Sequence, residues 1–484
     1  MRKHDFPQIH FYDQDFVDMY NQTWAWLQNC CVDRESGEPS EDGYFLYPES
    51  DGRRVIDQFD SIFSTFFLVY SNRNYSASQN LDYFYSKQES SGAIRWKYDL
   101  KSGLPICSAE NPEGVGLPLF AWAEFNLYHK GASKRRVKEV MPTLTAYMNW
   151  IEAAFRQPNG LYATPLAATK MFNSPRGSVR YPVDFNTAVA IDALFLAAIG
   201  DVMNDKDVNF RYKRLYFSLK TRINSQMWSN ETSFYHDLDA DGNRLPHKTI
   251  VGFWPLLAEI PYEERAEQLI SHLDNPATFG TEHPFPTLSA NSIEFSESGN
   301  GFCGSVYPVF NFMVIKGLER YQRWDVAREY ALRHLYFILD SFSPASAQEQ
   351  EQEQEEKGDL WEAYKPGGVG PSEMPADPLY PRKQAALSVG LSAVTVMIEN
   401  VVGLVVSLPR KTVEWMIPNM ESMGIENLAL KRNLITILSN KSVRGWEIKV
   451  ESEKLFYFTV DVIGKKKKTL PIPAGKCSMF LEKL

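Results

Sequence analysis

Several residue types that mark common protein classes are scarce in this 484-residue sequence. Its five cysteines (Cys30, Cys31, Cys107, Cys303 and Cys477) are scattered and odd in number, and none stands at metal-ligand spacing, so neither a disulfide framework nor a zinc site is indicated. The eight histidines form no evident cluster. His283 follows Glu282, but no second histidine stands at helical metal spacing, and no metal or cofactor is assigned. Positive charge is short as well: 51 Lys and Arg face 60 Asp and Glu, a net charge of −9 that repels phosphate backbones and argues against a nucleic-acid partner. The local exception, Lys465 to Lys468, lies between two strand-like runs and reads as a solvated hairpin turn. No apolar run follows Met1-Arg2-Lys3-His4-Asp5-Phe6, so no leader is expected. The long apolar stretch 389–408 holds Glu399 and Asn400 in its interior and closes on Pro409, which predicts a buried helix followed by a strand rather than a membrane span. The expectation is a soluble, cytoplasmic protein without a membrane partner. Nothing in the sequence indicates an oligomeric state.

Aromatic residues are plentiful, with 11 Trp, 24 Tyr and 30 Phe. They suit either a ring-lined cleft or a large core. From about residue 13 to 402 the apolar spacing is mainly helical, with the clearest segments at 14–28, 56–70, 117–129, 134–155, 186–202, 210–228, 305–321, 326–342 and 384–402. With shorter pieces near 76–88, 251–258 and 262–273, this predicts about twelve helices. They alternate between strongly apolar (188–199) and amphipathic (211–227) types, as expected for a double ring with buried inner and half-wet outer helices. No repeat recurs at a fixed period, against a solenoid. After Gly403 the character changes to short β-branched or aromatic runs at 413–417, 434–438, 446–450, 455–462 and 478–481. The fold class expected is therefore mostly α, an (α/α)6 barrel over residues 1–403, with a small β-sandwich-like accessory domain over 404–484. The Glu- and Gln-rich stretch 348–357 reads as a solvated loop. Asp237-Leu238-Asp239-Ala240-Asp241-Gly242 begins like a calcium loop, but Lys248 stands where the bidentate Glu should be, so a hairpin turn is expected.

Polar and aromatic clusters fall between the helices, at Asp57-Gln58-Phe59-Asp60-Ser61, Asn173-Ser174-Pro175-Arg176, Val183-Asp184-Phe185-Asn186 and Trp361-Glu362-Ala363-Tyr364-Lys365-Pro366-Gly367-Gly368. Glu362, between Trp361 and Tyr364 and just before a Pro-Gly-Gly loop, sits where a carboxyl can be aimed into a cleft. The order of these motifs resembles the clan of glycoside hydrolase families 37 and 63, which includes trehalases, processing α-glucosidases and mannosylglycerate hydrolases. Phe59-Asp60-Ser61-Ile62-Phe63 is similar to that clan's Trp-Asp-Ser-x-Phe, and Leu117-Pro118-Leu119-Phe120-Ala121-Trp122-Ala123 to its Pro-Pro-Leu-x-Ala-Trp-Ala. Gly301-Phe302-Cys303-Gly304-Ser305-Val306-Tyr307-Pro308 echoes Tyr-Trp-Arg-Gly-Pro-Val-Trp-Pro, and Glu362-Ala363-Tyr364-Lys365-Pro366 resembles the Glu-Asn-Tyr-Asn-Pro motif of the catalytic base.

The resemblance implies an α-glucosidase or α-mannosidase acting with inversion on a carbohydrate substrate. It makes Glu362 the base, with Phe59, Asp60, Trp122, Asn173, Arg176, Trp361 and Tyr364 around the sugar. One position departs. The clan's general acid is the Asp of Gly-(Trp/Met)-Asp-Asn-Ser-Pro-Arg, and this chain reads Lys170-Met171-Phe172-Asn173-Ser174-Pro175-Arg176. Phe172 has no proton to give. Asp184 is the nearest downstream carboxyl for that role, although its place before Phe185-Asn186 equally suits a helix cap. The alternative is a carbohydrate-binding, catalytically impaired relative. A sugar epimerase or lyase would be expected to need His or Tyr pairs in the cleft.

Overall fold

The computed structural model describes residues 6–46, 54–171, 173–342, 360–374, 387–417, 421–431, 433–443, 445–463 and 466–482. Phe172 and the Glu/Gln stretch 348–357 lie outside them. The described chain is mainly helical to Val401, with a few two- and three-residue strands between the helices, and forms longer strands from Leu404 onward.

The helices are α1 (Gln14–Leu27), α2 (Gln58–Leu68), α3 (Gln79–Ser86), α4 (Phe120–Gly131), α5 (Lys134–Phe155), α6 (Val183–Met203), α7 (Lys206–Arg222), α8 (Glu263–Asp274), α9 (Pro308–Arg320) and α10 (Trp324–Phe342). Two further segments act as helices: a 3-10 run at Ile250–Leu256, and Leu387–Gly390 continuing as the π-helical Leu391–Val401. Side-chain caps start several of them: Asp13 before α1, Asp57 before α2, Ser133 before α5 and Asp205 before α7 each accept a backbone N–H of the first turn. The first turn of α4 is served from outside, since Asp192 of α6 accepts from Ala121 N (2.8 Å) and Trp122 N (3.2 Å).

Six apolar segments touch in cyclic order. Helix α2 packs on α4, α4 on α6, α6 on Ile250–Leu256, that run on α9, α9 on Leu391–Val401, and Leu391–Val401 back on α2. Flanking them are α1 and α10 against Leu391–Val401, α3 against α2, α5 against α4 and α6, and α7 against α6. The apolar/amphipathic alternation of the sequence thus becomes inside and outside. Helix α6 is the one described helix long and apolar enough to cross a bilayer, and 89% of its apolar window is buried by the rest of the chain. An aromatic column (Phe63, Phe66, Trp122 and Phe312) fills the space between α2, α4 and α9, with ring centroids 4.5–6.2 Å apart.

The C-terminal strands form two sheets. One runs, in spatial order, Gln8–His10, Gly424–Leu430, Asn433–Ser442, Gly445–Ser452 and Gly475–Glu482; the other Lys466–Ile472, Phe456–Val462, Thr412–Ile417 and Leu404–Ser407. Residues 8–10, expected with the helical part, are therefore an edge strand of the C-terminal sheet, with Ile9 opposite Ile425. Lys466, Lys467 and Lys468 also differ from expectation: they belong to a strand paired with Val462, Asp461 and Val460 rather than to the turn. The lysine backbones complete the ladder while Lys467, Lys468 and Thr469 stay exposed, and Lys467 pairs with Asp461 at 3.1 Å. Asp239 folds as a tight turn, its carboxylate accepting from Asp241 N and Asn243 N.

Candidate active site

Asp57 organises the starting end of α2. Its Oδ1 accepts from Phe59 N (2.8 Å) and Asp60 N (3.3 Å), the capping geometry, while Oδ2 takes the ammonium groups of Lys170 (2.6 Å) and Lys97 (3.4 Å). One carboxylate thus fixes both the helix that presents Phe59 and Asp60 and the lysine that faces them. The Lys170 ammonium also lies 5.3 Å from the centre of the Phe59 ring. Burial alone would lower the Lys170 pKa, but the charges of Asp57, Asp60 and Glu362 override it and raise the value. Asp57 responds in the opposite sense: against its burial, Lys170 and Lys97 hold its carboxyl well below the usual range.

Glu362 reaches this cluster from a loop held on two sides. Tyr364 and Val306 exchange both backbone hydrogen bonds at 2.9 Å, and the Tyr364 hydroxyl accepts from Trp361 N at 3.0 Å. On the other side His283 N donates to Pro366 O (3.0 Å) and Gly368 N to the Glu282 carboxylate (3.1 Å). Trp361 and Tyr364 are buried and Glu362 is half-exposed. Tyr307, stacked on Phe302 with centroids 4.6 Å apart, lies close enough for the Glu362 charge to add to burial in raising its phenol.

Asn173 joins the 170–176 loop to the 300–303 turn. It donates to Asn300 O (3.0 Å), and accepts from Phe302 N (2.8 Å) at its side chain and from Cys303 Sγ (3.2 Å) at its backbone carbonyl. The approach is tight: Gly301 has φ +61°, and a Cβ there would meet the Asn173 amide at 2.9 Å. Asn173 is thus a strut of the site wall.

Three sequence assignments need correction. Asp184, the carboxyl offered as general acid, is buried and accepts both terminal nitrogens of Arg176 at 2.9 Å, with Phe185 N on the same carboxylate. Both of its oxygens are committed to the Arg176 guanidinium inside the protein, so neither is turned towards a leaving group. Arg176, expected at the sugar, is 1% exposed and divided between Asp184 and Asp237, whose Oδ2 lies 2.6 Å from Nε. It ties the start of α6 to the 237–244 turn. Trp122 stands in the aromatic column on Phe63, Phe66 and Phe312, where it forms core rather than a sugar platform.

Sequence reading also missed two features. Lys170 is the first: it was read only as the opening residue of a motif, yet a lysine where that motif carries glycine is a detectable signal. The second is a buried histidine pair. His283 Nε2 lies 2.8 Å from His334 Nδ1, and His334 Nε2 lies 2.9 Å from Ser392 Oγ. With the His283 ring also bonded to the Lys365 backbone, each ring nitrogen has one partner. Burial lowers both, His334 to about 3, so the pair is neutral and braces the Glu362 loop from behind. His283 lies in the loop after α8 and His334 in α10, 51 residues on, a pairing that spacing along the chain does not reveal.

The model of the "mannosylglycerate hydrolase MGH1-like glycoside hydrolase domain" matches residues 60–367, a span that opens on Asp60 and ends just past Glu362. The chain belongs to this glycoside hydrolase family. A trehalase C-terminal domain model matches residues 403–484, and together the two matches bear out the resemblance to families 37 and 63. An uncharacterized protein of Borreliella burgdorferi is 47% identical across the whole of both chains. Among solved structures, the family 63 mannosylglycerate hydrolase of Thermus thermophilus in complex with glucose aligns with 78% of this chain and 99% of its own, at 18% identity and TM-score 0.59. A sialidase aligns at TM-score 0.70 and 16% identity over 92% of this chain, which spans only 40% of the sialidase. A family 78 rhamnosidase of a Bacillus species gives TM-score 0.66 at 12% identity, covering 95% of this chain and 43% of its own. At these identities the structural likeness concerns the fold.

Proposed function

We propose that the protein hydrolyses an α-linked glucoside or mannoside with inversion, Glu362 acting as the base that activates water and Asp60 holding sugar hydroxyls. One observation carries this reading: the glycoside hydrolase match runs from Asp60 to just past Glu362, and the charges of both act on Lys170, whose ammonium lies 2.6 Å from Asp57 and 5.3 Å from the centre of the Phe59 ring. Two half-exposed carboxylates with the rings of Phe59, Trp361 and Tyr307 nearby in the fold or the chain suit a polyhydroxylated ring. On this reading the six cyclically packed segments are the inner ring of an (α/α)6 barrel, and the site occupies the end of the ring where α2 and α9 start.

A second reading, a sugar-binding relative with impaired catalysis, is favoured by Phe172 at the acid's motif position and by the commitment of Asp184 to Arg176. Both readings are separated by a panel of α-glucosides, α-mannosides and glycosylglycerates with product anomers followed by NMR. The hydrolase gives a β-anomer first, and Glu362→Gln lowers turnover about 100-fold or more while sugar binding persists, because an amide takes no proton from water. Activity of Glu362→Gln within about threefold of the parent would remove Glu362 as base. Sugar binding without turnover of any substrate selects the second reading.

A further inference from the structure

Cleavage of a glycosidic bond passes through a ring carrying partial positive charge, which facing carboxylates stabilise. Here those carboxylates already face a cation. Lys170 Nζ is anchored 2.6 Å from Asp57, feels Asp60 and Glu362, and its side chain remains 22% exposed, so its charge reaches the space in front of them. Lys97 stands behind it on the same Asp57 oxygen, 3.4 Å away. The cluster therefore sets Asp57, Asp60 and Glu362 against two ammonium groups. Lys170 stands where the family motif reads glycine, so this cation is a feature of the present chain.

We propose that Lys170 is a specificity-determining residue that sets the charge selectivity of the sugar site: its ammonium takes the electrostatic place of a ligand's positive charge, so the site accepts neutral sugars and gives ligands cationic in or beside the ring no advantage over them. This rests on the glycoside-site reading above. The argument is Coulombic. A second unit positive charge a few ångströms from Lys170 loses on repulsion what it gains from Asp60 and Glu362, whereas a neutral ring does not feel the exchange.

The test is calorimetric titration with matched neutral and cationic probes, D-glucose against protonated 1-deoxynojirimycin and D-mannose against protonated 1-deoxymannojirimycin. The parent is expected to bind the two members of a pair alike. Lys170→Met should bind the cationic member about tenfold or more tighter with the neutral one changed by less than about threefold, and Lys170→Arg should behave as the parent. Should Lys170→Met fold poorly with Asp57 half-unpaired, the pair Asp57→Asn/Lys170→Met removes both charges and keeps a helix-capping side chain. The expected selectivity shift is the same. Unchanged selectivity, or equal loss of both probes in a folded variant, overturns the role of Lys170. Absence of binding by every probe to parent and variants alike overturns the sugar-site reading beneath it.

Discussion

The two ends of the helical ring each carry a cluster of lysines and carboxylates, and the clusters differ in balance and in access. At the far end, where α2, α4, α9 and Leu391–Val401 finish, Glu399 is held by Lys130 (2.9 Å), Lys316 (2.7 Å) and the Tyr70 hydroxyl, and Lys316 also bonds Glu319 at 2.6 Å. Two acids face two bases, their side chains 8–14% exposed, and Asn400 donates to Glu319 at 2.7 Å. At the near end three acids face two bases, and Asp60 and Glu362 remain half-exposed. A neutral, sealed cluster has nothing left to offer a ligand, and its geometry serves the fold. Excess negative charge kept in reach of water is a cost to folding that a binding site can use. The same residue types therefore read as scaffold or as site only once their partners are counted.

The comparison predicts opposite responses to mutation. The largest effect should be at the far end: Glu399→Ala takes the carboxylate from buried Lys130 and leaves Lys316 with Glu319 alone, and is expected to cost about 3–5 kcal/mol of stability, measured by chemical denaturation. Acidification should reproduce much of it. Burial would raise the Glu399 pKa, but Lys130 and Lys316 bring it down to about 2 from 4.5, so its contribution is complete above about pH 4.5 and is lost as pH falls towards 2. That difference corresponds to about 3 kcal/mol, and Glu399→Gln should flatten this part of the stability–pH curve. If the wild-type curve is already flat between pH 5 and about 3, the far-end pairing is weaker than its geometry indicates.

At the near end, Asp184→Asn separates scaffold from chemistry. The fully buried Arg176 would keep Asp237 but lose one charge partner, so a loss of about 2 kcal/mol in folding stability is expected with turnover unchanged at permissive temperature. Full stability with turnover abolished would restore Asp184 as the acid. The smallest effect should come from Asp60→Asn, about tenfold weaker sugar affinity from a lost charge-assisted hydrogen bond with the melting temperature held. A drop in melting temperature without loss of affinity would move Asp60 to the scaffold side of the comparison.

Local pattern carried much of this. The helical periodicity and the change of character after Gly403 appear in the structure because burial is written into residue spacing, and 389–408 does divide into a buried helix and the strand Leu404–Ser407. Asp60 and Glu362 were singled out on motif chemistry, and the structure adds that both charges act on Lys170. What the sequence did not reveal depends on pairing across the ring. Asp184 and Arg176 carry the right residue types for a site, but nothing along the chain signals that Asp237 and Asp184 saturate one guanidinium. Trp122 was misplaced for a related reason: a ring one turn into a helix faces whatever neighbouring helices put there, and here that is Phe63, Phe66 and Phe312.

The edge strand Gln8–His10 ties the timetable of synthesis to the architecture. Its ladder partner, Gly424–Leu430, leaves the ribosome more than 400 residues later, after every segment of the helical ring. Until then the strand Gln8–His10 has open ladder groups and only α1 beside it, and the sheet it will border does not exist. The closing of that ladder is a contact of very long sequence separation, formed late and at high loop entropy. A nascent chain stalled inside the helical region would keep Gln8–His10 unpaired and open to proteases, while synthesis of Gly424–Leu430 would lock it.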